Sequence, residues 1–177
     1  NVVIGQGAGE ALTTPSRSIF IGVNAGNDHD TENDNLGIGH DALTASIAGG
    51  EYNVAIGNSS LAALTSSDGN VAIGYQALLA NTTGASNIAI GSTALAANTT
   101  GSRNIGIGSN ANDSSDTEND NIAIGYDAMT TNTAGGTKNI ALGNYALDAL
   151  TSGDDNVAIG YNSMTANTTG SSNTAVG

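Results

Sequence analysis

A pentapeptide of the form Asn, aliphatic, small, Ile, Gly recurs at near-constant spacing through the 177-residue chain, and this recurrence restricts the fold more than any other feature. Its copies begin at Asn1, Ser18, Asn35, Asn53, Asn70, Asn87, Asn104, Asn121, Asn139, Asn156 and Asn173, with spacings of 17 except for two of 18. The two longer repeats start at Asn35 and Asn121 and each carries Ala-Gly-Gly, at 48–50 and 134–136, where the other repeats turn with Thr-Gly or a related pair. A shift of 86 residues brings Asp30-Thr-Glu-Asn-Asp-Asn35 onto the identical Asp116-Thr-Glu-Asn-Asp-Asn121. The chain therefore reads as one array over 1–177, with super-repeats 1–86 and 87–172 and the start of a third at 173–177. A repeat cut in phase at both ends is expected of a segment of a longer fibre.

Residues are named below by column, counted from the first residue of each pentapeptide. In Asn70-Val-Ala-Ile-Gly74, alternation places Val71 and Ile73 on one face of a short strand and Ala72 on the other. Column 5 is Gly in every copy, as a corner or a close backbone approach requires. The second half of the repeat, as in 75–84, carries Ala77 and Leu78 and then a polar Asn-Thr-Thr-Gly corner. Two apolar patches and two corners in seventeen residues make one coil of a parallel β-solenoid, or β-roll. The fold class is all-β, with about ten coils stacked at about 4.8 Å. The added residue at 48–50 and 134–136 is expected to bulge on the outer edge and leave the strand register unaltered.

Stacking turns columns into ladders. Columns 2 and 4, aliphatic almost throughout, are expected to form the core of each coil, and the Asn of column 1 to exchange amide hydrogen bonds from coil to coil. Column 3 is Ala or Gly in nine of eleven copies. It reads as a face packed closely on another backbone, which makes Ala55, Ala72, Ala89, Gly106, Ala123, Ala141 and Ala158 the expected interface of a homo-oligomer.

Asn-Val-Ala-Ile-Gly followed by Ala at column 8 resembles the head repeats of trimeric autotransporter adhesins, the YadA-like left-handed parallel β-roll, along the entire chain. Asn173-Thr-Ala-Val-Gly177 and the stretch 160–170 are also similar to arrays in phage tail fibres and large bacterial surface proteins. The resemblance implies a left-handed, homotrimeric fibre, extracellular on a cell surface or virion, that presents its surface to a cell-surface or matrix receptor. The period of seventeen departs from the shorter adhesin-head repeat.

Composition narrows the chemistry. Three Lys+Arg against 16 Asp+Glu oppose nucleic-acid binding, the absence of cysteine excludes a disulfide scaffold, and no apolar run is long enough to span a bilayer. Half of the acidic residues fall in two loops, Asp28, Asp30, Glu32 and Asp34 in one and Asp113, Asp116, Glu118 and Asp120 in the other. Clustered carboxylates beside Asn suit Ca²⁺, although the spacing is neither an EF-hand nor an RTX nonapeptide. No catalytic residue and no other cofactor are expected, because a translational repeat offers the same surface at every coil and the histidines are only His29 and His40. The alternative to an adhesive fibre is a regular-surface binder such as an ice-binding solenoid, suggested by Thr at column 13, or a phage tail-fibre shaft. Glycosylation sequons begin at Asn58, Asn81, Asn98, Asn112 and Asn167.

Overall fold

The computed structural model describes residues 1–13, 17–45, 49–132 and 135–177. Its strands are β1 (Val2–Ile4), β2 (Ile19–Ile21), β3 (Leu36–Ile38), β4 (Val54–Ile56), β5 (Val71–Ile73), β6 (Ile88–Ile90), β7 (Ile105–Ile107), β8 (Ile122–Ile124), β9 (Ile140–Leu142), β10 (Val157–Ile159) and β11 (Thr174–Val176). They form one parallel sheet in sequence order. Each coil therefore returns the chain to the place next to where it began, and the molecule is a parallel β-solenoid of ten coils, about 50 Å long at 4.8 Å per step. Among the described residues no helix is long and apolar enough to cross a membrane.

The asparagines of column 1 hold most coils closed; Asn70 instead donates to Asn53 and Ser67 of the coil before, and the Gly84 carbonyl at the end of its coil is met by Asn81. Asn87 Nδ2 donates to the carbonyl of Gly101 at the far end of its own coil (2.8 Å), while Asn87 Oδ1 accepts the backbone N–H of Asn104 in the next (2.9 Å). The same pair of bonds recurs at Asn104, Asn121, Asn139 and Asn156. The expected coil-to-coil exchange is present, but its main acceptor–donor pair is side-chain oxygen to backbone N–H. Direct amide-to-amide bonds join only some rungs, such as Asn156 to Asn139 (3.0 Å).

The two faces of the strand are the reverse of those expected. Column 3 points into the bore: Ala55, Ala72, Ala89, Ala123, Ala141 and Ala158 are fully buried within this one chain, and Gly106 is buried with them. There they meet Ala and Leu of columns 8 and 9, such as Ala77 and Leu78, in a core completed by Leu64 and Leu150 of column 12. Seventeen residues enclose little cross-section, so a Leu on one wall leaves room only for Ala or Gly on the other. Where column 3 is Phe20, column 9 becomes Gly26, and a Cβ on Gly26 would overlap the phenyl ring. A face enclosed by its own coil is not a contact surface for a second chain. Columns 2 and 4 turn outward instead, with Ile90, Ile124 and Ile159 more than one-third exposed.

Register runs unbroken through both 18-residue coils, as expected: Leu36 pairs with Val54 and Ile38 with Ile56, and Ile122 with Ile140 and Ile124 with Leu142. The carbonyl that Asn35 and Asn121 reach is that of Gly50 and Gly136, fifteen residues on instead of fourteen, so the insertion is absorbed before these glycines. The expected bulges fall partly on Ala48 and Ala134, which lie outside the described residues.

The core divides at the seventh coil, where Asn112 stands in the Leu position of column 9 and its Nδ2 is buried without a partner. Column 9 also adopts positive φ without glycine, at Leu61, Leu78 and Leu95 (φ 48, 50 and 52). This costs roughly 1–2 kcal/mol per residue, offset because each of these N–H groups then reaches the carbonyl of the next coil, as in Leu78 to Ala94 (3.1 Å).

Column 5 admits glycine alone. Gly91 has φ +141, and a Cβ there would overlap the carbonyl oxygen of Gly108. Gly91→Ala is expected to cost more than about 3 kcal/mol, whereas Gly135→Ala, with open space around its Cβ and only its φ of +102 to oppose it, is expected to cost roughly 1–2 kcal/mol. Equilibrium urea unfolding of the two variants measures the difference.

Candidate functional site

The eight carboxylates expected to gather around calcium are distributed among separate partners. Glu32 and Glu118 are 97% buried. Glu118 Oε2 accepts the backbone N–H of Asp116 (2.7 Å) and of Thr117 (2.9 Å), and its Oε1 accepts that of Gly135 in the next coil (2.9 Å). Glu32 does the same with Asp30, Thr31 and Gly49. Burial raises the Glu32 pKa, but the backbone N–H donors outweigh it and hold the group below the ordinary carboxylate range. These glutamates thus sit one coil before each insertion and accept an N–H that the longer corner releases. The acidic motif and the extra residue share the 86-residue period because one supports the other.

The remaining members diverge. Asp34 forms a bidentate pair with Arg17 (2.6 and 2.7 Å) and Asp120 with Arg103 (2.6 and 2.8 Å), which lowers both carboxyl pKa values. The sequence offers no basic residue within either loop; the solenoid brings the arginines in from the preceding coil. Asp30 accepts the Thr13 hydroxyl and Asp116 that of Thr99. Asp113 is bonded by Ser114 (3.2 Å), and burial raises its pKa. Asp28 stands on the rim of a surface groove. Among the described residues no three His, Cys, Asp or Glu side chains converge as a cation site requires. The calcium expectation therefore rests on the sequence cluster alone.

His29 is fully buried on Phe20, ring centroids 4.8 Å apart and tilted by 58°, and both of its nitrogens lack a partner. Desolvation lowers its pKa to about 4, against weaker raising effects from Glu32 and Asp28. The histidine is a core residue of the second coil. The threonines of column 13 spend their hydroxyls on the next coil's carbonyls, as Thr82 does on Thr99 (3.0 Å) and Thr151 on Thr168 (2.8 Å). Of the sequon asparagines, Asn81, Asn98 and Asn112 are buried, and the amides of Asn81 and Asn98 donate to Gly84 and Gly101.

Two surfaces had no signal in single residues. The first is the outward aliphatic strip of columns 2 and 4, running beside every strand. The second is a pair of separate open grooves lined mainly by columns 7 and 10, one of about 420 Å³ over coils two to five and one of about 370 Å³ over coils nine and ten. Both emerge from columns, once the side of the coil is known. Compared with known proteins, the chain matches no family model, no curated protein and no solved structure.

Two results are expected. Replacing Glu118 by Ala leaves three backbone donors short of an acceptor and costs at least about 2 kcal/mol; Glu118→Gly combined with deletion of Gly135 recovers most of that loss by restoring a 17-residue coil, read by thermal unfolding. For His29 the folded state favours the neutral ring. Stability is full above the unfolded pKa near 6.5 and falls as the pH drops toward 4, by on the order of 3 kcal/mol. Denaturation at pH 7.5 and 4.5 measures it, and His29→Asn, the residue found in column 12 at Asn81 and Asn98, removes that part of the pH dependence.

Proposed function

We propose that this array is a segment of an extracellular fibre whose chains associate side by side through columns 2 and 4, three to a rod, and which presents its remaining faces for attachment. The observation that carries the reading is the outward aliphatic strip. Val, Ile or Leu occupies both columns in every copy but the last, none of them buried and Ile90, Ile124 and Ile159 more than one-third exposed, in a stripe about 50 Å long that no element among the described residues covers. Soluble monomers rarely expose a contiguous apolar patch of more than a few hundred Å². A straight stripe of identical rungs is self-complementary to the same stripe on another copy, so one repeat unit satisfies every step of the contact.

Three-fold association follows the adhesin-head resemblance, as do the left-handed winding, the surface location and the receptor. The enclosed core and the repetition of one surface from coil to coil support a structural and adhesive role over catalysis. The ice-binding alternative draws less support, because the column 13 hydroxyls are turned onto the backbone.

Ile73→Asp combined with Ile90→Asp is expected to give folded monomers in analytical ultracentrifugation, with unchanged β-sheet circular dichroism. Ala72→Glu and Ala89→Glu place charge inside the bore and are expected to unfold their coils. Wild-type protein that sediments as a monomer at micromolar concentration would reject association through this strip.

A further inference from the structure

Two rows of side chains flank the outward aliphatic strip: the residue just before each pentapeptide on one edge, and column 6, just after it, on the other. Both rows are exposed except for the half-buried Asp34, Asp120 and Ser109. All three cationic residues of the chain, Arg17, Arg103 and Lys138, hold the leading position, and in each case Asp stands there one coil later, as Asp34, Asp120 and Asp155. Column 6 holds no Asp, Glu, Lys or Arg, but carries the rings of His40, Tyr75, Tyr126 and Tyr161. The two rows are matched. Each Asp precedes a pentapeptide that a ring follows, Asp34 with His40, Asp120 with Tyr126 and Asp155 with Tyr161, and the pentapeptide before the fourth ring, Tyr75, is led by Gly69.

Nothing inside one chain accounts for the matching. The paired residues lie at opposite ends of the strand, roughly 15–20 Å apart along extended backbone, which an Asp and a Tyr side chain cannot bridge. No ion pair among the described residues involves Asp155 or Lys138, and Tyr161 is 66% exposed. Gly69 is not required by its own coil either. Its φ of +68 is matched by Ser86, Lys138 and Asp155 in the same row (φ 60, 58 and 57), and a Cβ on it would meet nothing nearer than Ser86 Oγ at 3.9 Å. The sequence leaves a space there that this chain does not fill.

We propose that the two rows meet between parallel, level copies of this chain, so that Asp34, Asp120 and Asp155 of one copy accept hydrogen bonds from His40, Tyr126 and Tyr161 of the next, and Tyr75 enters the space at Gly69. The contact rests on the reading of the array as a side-by-side rod and adds what fixes its register. The aliphatic strip cannot, because a slip of one coil, about 4.8 Å, renews every contact between its rungs. Copies that close into a ring around the strip bring the leading row of one against column 6 of the next, and a closed ring has no rise, so equal heights face each other. At equal heights the residue before a pentapeptide faces the residue after the same pentapeptide of its neighbour, which is the matching in the sequence. Phenol-to-carboxylate bonds are charge-assisted. His40 Nδ1 lies 3.0 Å from Asp41, which leaves Nε2 for the neighbour's Asp34. Asp34 and Asp120 also hold Arg17 and Arg103, whereas Asp155 has no such pair and so isolates the contact.

The chain has no cysteine, so thiols can be placed at will on these exposed positions. Asp155→Cys combined with Tyr161→Cys, treated with a short bismaleimide, is expected to give covalent oligomers that end at three copies on a denaturing gel. Its yield is expected to exceed by about tenfold that of Asp155→Cys combined with Asn144→Cys, whose thiols face each other only after a slip of one coil. Asp155→Cys alone is expected to stay uncrosslinked. Dimers from that single variant, which antiparallel copies would produce by setting the leading row against itself, would overturn the proposal, as would a yield from the slipped pair equal to or above that of the level pair. Sedimentation of the untreated proteins separates this contact from the reading beneath it: associated protein without the 155–161 link sinks the level contact and leaves the rod standing, whereas wild-type protein that stays monomeric sinks both.

Discussion

Most coils of this solenoid are closed by one asparagine. Its amide nitrogen ties the start of the coil to the carbonyl at its end, and its amide oxygen receives the first N–H of the next coil. A three-residue strand cannot hold a sheet edge by itself, and the turns between strands adopt positive φ at columns 7, 9 and 17 without glycine in most coils. The asparagine satisfies both needs: it fixes the closure that those turns require and sets the step to the next strand. The column tolerates exchange only for a residue that can still accept, as where Ser18 Oγ takes the N–H of Asn35 at a longer 3.3 Å.

Much of this was legible in the sequence. The strands fall at columns 2 to 4 as the alternation requires, and glycine in column 5 marks a contact in which successive backbones leave no space for a Cβ. The side of the strand was not legible, because alternation separates two faces without saying which is enclosed. Larger aliphatics are normally inside, and that expectation fails in a bore this narrow, where the second half of the coil already contributes Leu78 or Leu95. The compensating pair of Phe20 and Gly26 carried the answer, since a ring and a glycine at fixed offset signal two residues that share one enclosed space.

The surroundings of the acidic loops were not legible either, for a related reason. Counted along the chain, Asp30, Glu32 and Asp34 are near one another and have no cation beside them; counted along columns, Asp34 lies directly across from Arg17, seventeen residues away. In a solenoid the shortest distances join residue i to residue i+17, so a linear cluster is spread across the corner while its real neighbours are one repeat distant. The recurrence of the motif had a structural cause. A coil with one residue more has one N–H more to satisfy, and the carboxylate of the preceding coil meets it.

The same geometry separates what the array must keep from what it can vary. Columns 1, 3 and 5 each contact their own copies in adjacent coils, so a change in one rung disturbs two interfaces and demands a local answer, as Phe20 demands Gly26. Columns 7 and 10 face solvent, and a rung there can become Tyr145 or Asp148 in place of Ser59 or Ala62 without altering the path of the chain. Chemical variety can therefore accumulate along one side of the rod while the scaffold stays constant. An array with that property carries distinct groups at defined heights on an invariant frame, as Asp41 and Tyr145 do in column 7.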